Sequence, residues 1–107
     1  MAHTALVVLT TFGTEADARR FVGTIVAQRL AACGTLLPGA RSIYRWEGAV
    51  KEEPEVVVIL KTDASKWDQL VGAVRQQHPY RVPELLALPV ERGLDRYLAW
   101  LASEVAG

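Results

Sequence analysis

Glu55-Val56-Val57-Val58-Ile59-Leu60 carries one charge at its head and nothing polar after it. β-Branched side chains fit a pleated surface, so the run reads as a strand. It does not alternate. Successive strand side chains point to opposite faces, so a strand with one wet face shows a polar residue at every second position. Leu6-Val7-Val8-Leu9 and Leu85-Leu86-Ala87-Leu88 share the trait. Both faces of the sheet these runs would form therefore call for burial.

Working outward from these runs, Ala5 to Thr11 is the first strand. Thr14-Glu15-Ala16-Asp17 fits a Thr-x-x-acid helix start. Ala18, Phe21, Val22, Ile25, Val26 and Leu30 then recur at helical spacing, and Gly34 supplies a stop. The pattern predicts a first helix from Thr14 to Cys33. Leu36-Leu37-Pro38-Gly39 is extended and then turns. Arg41 to Trp46 alternates, Gly48 to Pro54 is polar and turn-like, and Glu55 to Leu60 completes a hairpin. Ser65-Lys66-Trp67-Asp68 repeats the capping pattern before a second helix, whose stripe is Trp67, Leu70, Val71 and Val74 and which ends near Gln77. Pro79 and Pro83 push their predecessors into extended geometry. Leu85 to Val90 is a fourth strand. Gly93 opens a last helix with Leu94, Tyr97, Leu98, Leu101 and Val105 on one side.

The order β-α-β-β-α-β plus a terminal helix is that of an α+β, ferredoxin-like domain over residues 1–107. Two helices lie on one face of an antiparallel sheet. The other face is left bare. At about 25 cal/mol per Å2, several Val and Leu side chains in water forfeit several kcal/mol and invite aggregation. The terminal helix is too short to cover a sheet, so the expected cover is another copy of the chain.

Composition narrows the function. The 107 residues are 50% apolar, and 12 Lys and Arg balance 12 Asp and Glu. A neutral chain exerts little pull on nucleic acid or anionic lipid, so neither is an expected partner. Cys33 is the only cysteine, which rules out an intrachain disulfide and a Cys-rich zinc site. The first residues lack the basic and apolar regions of a secretory signal, and no apolar run approaches the roughly 20 residues of a membrane helix. The expectation is a cytoplasmic protein. Glycine-rich phosphate loops, nucleophile elbows and His-Glu-x-x-His are absent, so no enzyme activity is expected.

His78-Pro79-Tyr80-Arg81-Val82-Pro83-Glu84 is the stretch richest in chemistry. Two prolines hold an imidazole, a phenol, a guanidinium and a carboxylate close together. One reading is a rigid turn in which His78 closes the helix, Tyr80 packs and Glu84 bonds locally. The other is a pocket for a small ligand or a metal. Tyr44 and Trp46 either pack on the sheet or wall a cleft at a subunit boundary. Cys33 is either a small buried hydrophobe or a soft-metal ligand that needs sulfur or imidazole from elsewhere. His3, third in the chain, suits Cu(II) or Ni(II) bound in the amino-terminal manner if Met1 is retained.

Arg29-Leu30-Ala31-Ala32-Cys33, Pro38-Gly39, Ser42-x-Tyr44-x-Trp46-x-Gly48 and Lys61-Thr62 form a series with later motifs. These are His78-Pro79-Tyr80-x-x-Pro83-Glu84, Pro89-Val90 and Tyr97-Leu98-x-Trp100-Leu101. In combination, from about Val7 to Leu101, they resemble the CutA family of divalent-ion-tolerance proteins. The resemblance implies a ferredoxin-like fold assembled as a PII-like trimer, and a role in copper tolerance with binding of copper or other divalent ions. Some members carry a cysteine where this chain has Thr10, and another in the second helix. Without them a thiolate-rich site is not implied here. Cys33 remains, and His78 with Glu84 is the expected metal pair, suited to Zn(II) or Cu(II). The alternative is a PII-like signalling or scaffold trimer. Its inter-subunit clefts would take a small anionic ligand, with Arg45, Lys61, Tyr80 and Arg81 as contacts and Tyr44 and Trp46 as walls.

Overall fold

A computed structural model describes residues 3–106. Its strands are β1 (Ala5–Phe12), β2 (Cys33–Trp46), β3 (Ala49–Asp63) and β4 (Leu86–Pro89). Its helices are α1 (Glu15–Ala27), α2 (Trp67–Gln77) and α3 (Asp95–Val105), and a 3-10 turn at Ala64–Lys66 leads into α2. The four strands form one sheet in the order β2-β3-β1-β4, with every neighbour antiparallel. This is the ferredoxin-like arrangement expected from the element order.

Register divides the sheet into two faces. Leu6, Val8, Thr10 and Phe12 of β1 stand opposite Thr62, Leu60, Val58 and Val56 of β3. All eight are buried, packed with Phe21, Val22 and Ile25 of α1 and Leu70 and Val74 of α2. The intervening residues, Val7, Leu9, Val57 and Ile59, point the other way and are only half-buried. Leu86 and Leu88 of β4 pair with Leu9 and Val7 on that face and are 57% and 54% exposed. α3 crosses one end of the face, where Leu101 and Val105 pack with Ala5 and Ala32. The remainder is an uncovered apolar surface, as the non-alternating runs require.

The structure departs from the sequence reading at several boundaries. α1 ends at Ala27 rather than at the expected Cys33. Arg29 takes a left-handed backbone (φ 60°). Its N–H donates to Val26 O at 3.1 Å, and the Leu30 N–H donates to Ile25 O at 3.0 Å. These bonds satisfy the last carbonyls of the helix in a Schellman closure, with Leu30 and Ile25 both in the core. The closing residue is thus an arginine, which propensity does not reveal. Gly34 plays a different part. A Cβ there would lie 2.6 Å from Val22 Cγ1 and 2.9 Å from Leu60 Cδ2, so its lack of a side chain lets α1 seat on the sheet.

The hairpin is also longer than expected. β2 runs from Cys33 to Trp46 with an irregularity between Leu37 and Ala40, and β3 begins at Ala49. Only Glu47 and Gly48 turn, both at positive φ (50° and 82°), the requirement of a two-residue type I′ hairpin. Lys51 to Pro54, read as turn, are strand paired with Tyr44 to Arg41. Finally, Ser65 does not cap α2: Lys66 stands at that position without a side-chain bond, and it is the preceding 3-10 turn that is capped, by Asp63, whose side chain accepts from the Ser65 N–H at 2.9 Å.

Candidate functional site

The hairpin projects beyond the sheet, and at its base lies a cleft of about 620 Å3. Its floor comes from β2 and β3. Ser42, Tyr44 and Trp46 pair with Glu53, Lys51 and Ala49. By strand alternation they share the uncovered face with Val57 and Ile59. The opposite wall is the loop after α2, which contributes Tyr80, Arg81, Val82 and Glu84. The cleft is therefore continuous with the bare apolar surface.

His78 anchors the loop from beneath. It is buried, and its ring stacks on Phe12 with centroids 4.2 Å apart. The Tyr80 backbone N–H donates to Nδ1 at 3.1 Å, so Nδ1 carries a lone pair. Nε2 lies 2.8 Å from Thr11 O, a carbonyl that can only accept, so Nε2 carries the proton. Two backbone groups thus fix one neutral tautomer. Burial pushes the imidazole below its ordinary pKa of 6.5, outweighing the Thr11 carbonyl and the carboxylates of Asp17 and Glu55, which favour the charged form.

Held by this anchor, Tyr80 donates its hydroxyl to Glu55 Oε2 at 2.7 Å. Burial alone would raise the Glu55 carboxyl. The side chains of Ser42, Tyr80 and Thr11, and last the attraction of His78 once acid protonates it, more than offset that and hold it below the usual carboxylate range. The Tyr80 phenol is pushed far up by burial, then by the Glu55 carboxylate. Tyr44 is raised in the same sense by desolvation and by Glu53. The cleft therefore holds an ionised carboxylate to which the Tyr80 phenol donates.

Of the residues singled out from the sequence, Tyr44, Trp46, Tyr80, Arg81 and Glu84 line the cleft. His78 lies behind the wall with both ring nitrogens engaged. Lys61 and Cys33 are paired with each other at the far end of the sheet. There the Lys61 ammonium sits 5.7 Å over the Tyr97 ring, and Cys33 Sγ is 3.8 Å from Tyr97 Oη. His78 and Cys33 thus cannot share one ion within a protomer. The cleft also holds Glu53 and Glu55, which the sequence reading misses. Glu55 stands where an apolar run begins with a charge on the uncovered face, and that is the signal that could have found it.

The donor chemistry can be tested against a divalent cation. Carboxylate oxygens suit hard and borderline ions. Glu53, Glu55 and Glu84 supply them, opposed by Lys51 and Arg81, so the lining is net acidic. Among the described residues no three His, Cys, Asp or Glu side chains lie close enough together to enclose an ion. One protomer offers carboxylate oxygens along the cleft without enclosing a cation site among the described residues.

Comparison with known proteins agrees with this architecture. The family profile of the CutA1 divalent ion tolerance protein matches residues 6–104. The divalent-cation tolerance protein CutA of Salmonella newport (strain SL254) is 50% identical over 97 residues, covering 91% of this chain and 84% of that protein. Among solved structures, the divalent cation tolerance protein Cut A1 of Thermus thermophilus superposes with a TM-score of 0.93 at 41% identity, covering 95% of this chain and 99% of that one. CutA1 of Oryza sativa does so with a TM-score of 0.93 at 38% identity, covering 96% and 94%. Fold, motifs and relatives converge, and the chain belongs to the CutA1 divalent-ion tolerance family.

Proposed function

We propose that this protein serves divalent-cation tolerance in the cytoplasm as a homotrimer that binds ions of the copper or zinc kind weakly in its inter-subunit clefts. The observation that carries the reading is the Glu55 carboxylate, which accepts the Tyr80 hydroxyl at 2.7 Å in a cleft whose β2 and β3 lining shares the uncovered sheet face. Glu84 and Glu53 are the additional oxygen donors, and a neighbouring copy would complete the shell. His78 acts through Tyr80, whose N–H it accepts, rather than as a ligand. Cys33, at the other end, takes no part in this site. A small anionic ligand would meet more carboxylates than cations here, which disfavours it. Cytoplasmic residence rests on the lone cysteine and is checked by cell fractionation.

The test is calorimetric titration of Cu(II) and Zn(II) into the His3→Ala protein, which removes binding at the amino terminus. Saturable binding that is lost in Glu55→Gln and weakened in Glu84→Gln is expected. Equal binding by all three proteins would overturn the cleft as the site.

A further inference from the structure

The end of the sheet remote from the cleft carries a second constellation. Asp63, the last residue of β3, is 4% exposed. Its two carboxylate oxygens have different fates. Oδ2 accepts from the Ser65 N–H at 2.9 Å and caps the turn into α2. Oδ1 is buried and, among the described residues, accepts no hydrogen bond. A buried acceptor left without a donor is costly, and a charged one more so. Burial by itself would raise this carboxyl, yet the Ser65 hydrogen bonds and His3 keep it below the usual range, so it stays an anion.

The group facing Oδ1 is the imidazole of His3, with Nδ1 3.3 Å away. The two atoms are near neighbours, but the contact is not an aligned hydrogen bond. The chain beside His3 is pinned on both sides. Thr4 O accepts from the Ala64 N–H at 2.8 Å, and Ala5 O accepts from the Val90 N–H at 2.9 Å. The imidazole is thus tethered above the carboxylate, with its own side chain 60% exposed. Zinc bonds nitrogen and oxygen at roughly 2.0–2.2 Å, so two ligands on one tetrahedral edge lie about 3.3–3.5 Å apart. The measured separation matches that edge.

We propose that His3 Nδ1 and Asp63 Oδ1 form a second binding site, for a borderline divalent cation of the zinc kind, with water completing the coordination. The ion satisfies the orphaned oxygen and ties His3 to the capped turn that leads into α2. The site does not depend on the cleft, because Ala5 and Phe12 mark opposite ends of β1, roughly 23 Å apart at strand rise.

The experiment is titration of Zn(II) into the full chain labelled with 15N-histidine, following the side-chain nitrogens of His3 and His78 together with the thermal midpoint. The expected result is a saturable shift of His3 Nδ1 with His78 unmoved, and a rise in midpoint from binding to the folded state. In Asp63→Asn the cap keeps an acceptor for Ser65, and the His3 shift is lost. In His3→Ala, changed at an exposed position, the part of the midpoint rise due to this site is lost, whatever happens in the cleft. A His3 nitrogen that does not respond to Zn(II), or one that responds equally in Asp63→Asn, would overturn the proposal.

Discussion

The two faces of the central sheet are built from nearly the same residues and meet different fates. On one face Val8, Val58 and Leu60 are 0% exposed beneath α1 and α2. On the other, Leu9, Val57 and Ile59 are half-open, and Leu86 and Leu88 stand in solvent. Sequence cannot tell these faces apart, because both are apolar. Only topology decides, since both crossover helices of a split β-α-β arrangement fall on one side. The difference teaches that burial follows the placing of the helices and not the composition of the strands. The protomer completes one core and leaves a second apolar face open.

The contrast is tested first by truncation. Leu60→Ala removes a fully buried side chain under the helices, and the loss expected is about 2–5 kcal/mol by chemical denaturation. Ile59→Ala, its neighbour on the open face, should cost the protomer much less and act on association instead. Equal losses from both would erase the distinction between the faces. Next in size is Gly34→Ala. Its added methyl would meet Val22 and Leu60 at 2.6 and 2.9 Å, and overpacking of this kind costs about 1–3 kcal/mol. A neutral result would show that α1 can slide without penalty.

Acid tests the buried imidazole behind the cleft before it reaches the carboxylates. His78 is depressed in the folded state. Its contribution is therefore present above the ordinary value of 6.5 and is lost as pH falls through that value toward the folded one. Glu55 is also depressed. Its contribution is present above 4.5 and is lost as pH falls further. The thermal midpoint should fall in two stages on acidification, and His78→Gln should remove the first. A first stage that persists in His78→Gln would contradict the buried neutral imidazole.

The smallest effect expected lies within the covered face. Thr10 is fully buried, and among the described residues its hydroxyl has no partner. Thr10→Val keeps the shape and removes the orphaned group, so stability should hold or rise by about 1 kcal/mol. A marked loss would mean that the hydroxyl is satisfied in solution.

Much of this fold is legible in the sequence. Stripes at 3.6-residue spacing locate the three helices, the alternation of Arg41 to Trp46 locates part of β2, and the non-alternating apolar runs locate the other strands and foretell the bare face. The end of α1 is not legible, because Arg29 holds a left-handed conformation on the strength of Leu30 seating in the core. The first half of β3 is not legible either. Lys51 to Pro54 are exposed and held by pairing with β2 alone, so no burial pattern marks them. Pro54 is tolerated there because the hairpin has a free edge. At the candidate site, the prolines around Tyr80 point to the right loop. The role of His78 cannot be read, since the Thr11 carbonyl and the Tyr80 N–H that fix its tautomer are brought to it only by the fold. Glu53 passes as a turn residue and Glu55 as the charged head of a strand until the fold brings both to the cleft that Tyr80 lines.

The proposed function makes one requirement of the fold: that copies of the chain cover the open face and complete the cleft. Sedimentation equilibrium of the intact protein at micromolar concentration tests it most directly, alongside Ile59→Glu, which places a charge at the centre of that face. Three times the mass of the 11.7 kDa chain is expected for the unmodified protein, and a folded monomer for Ile59→Glu. An unmodified protein that sediments as a stable monomer would contradict the requirement.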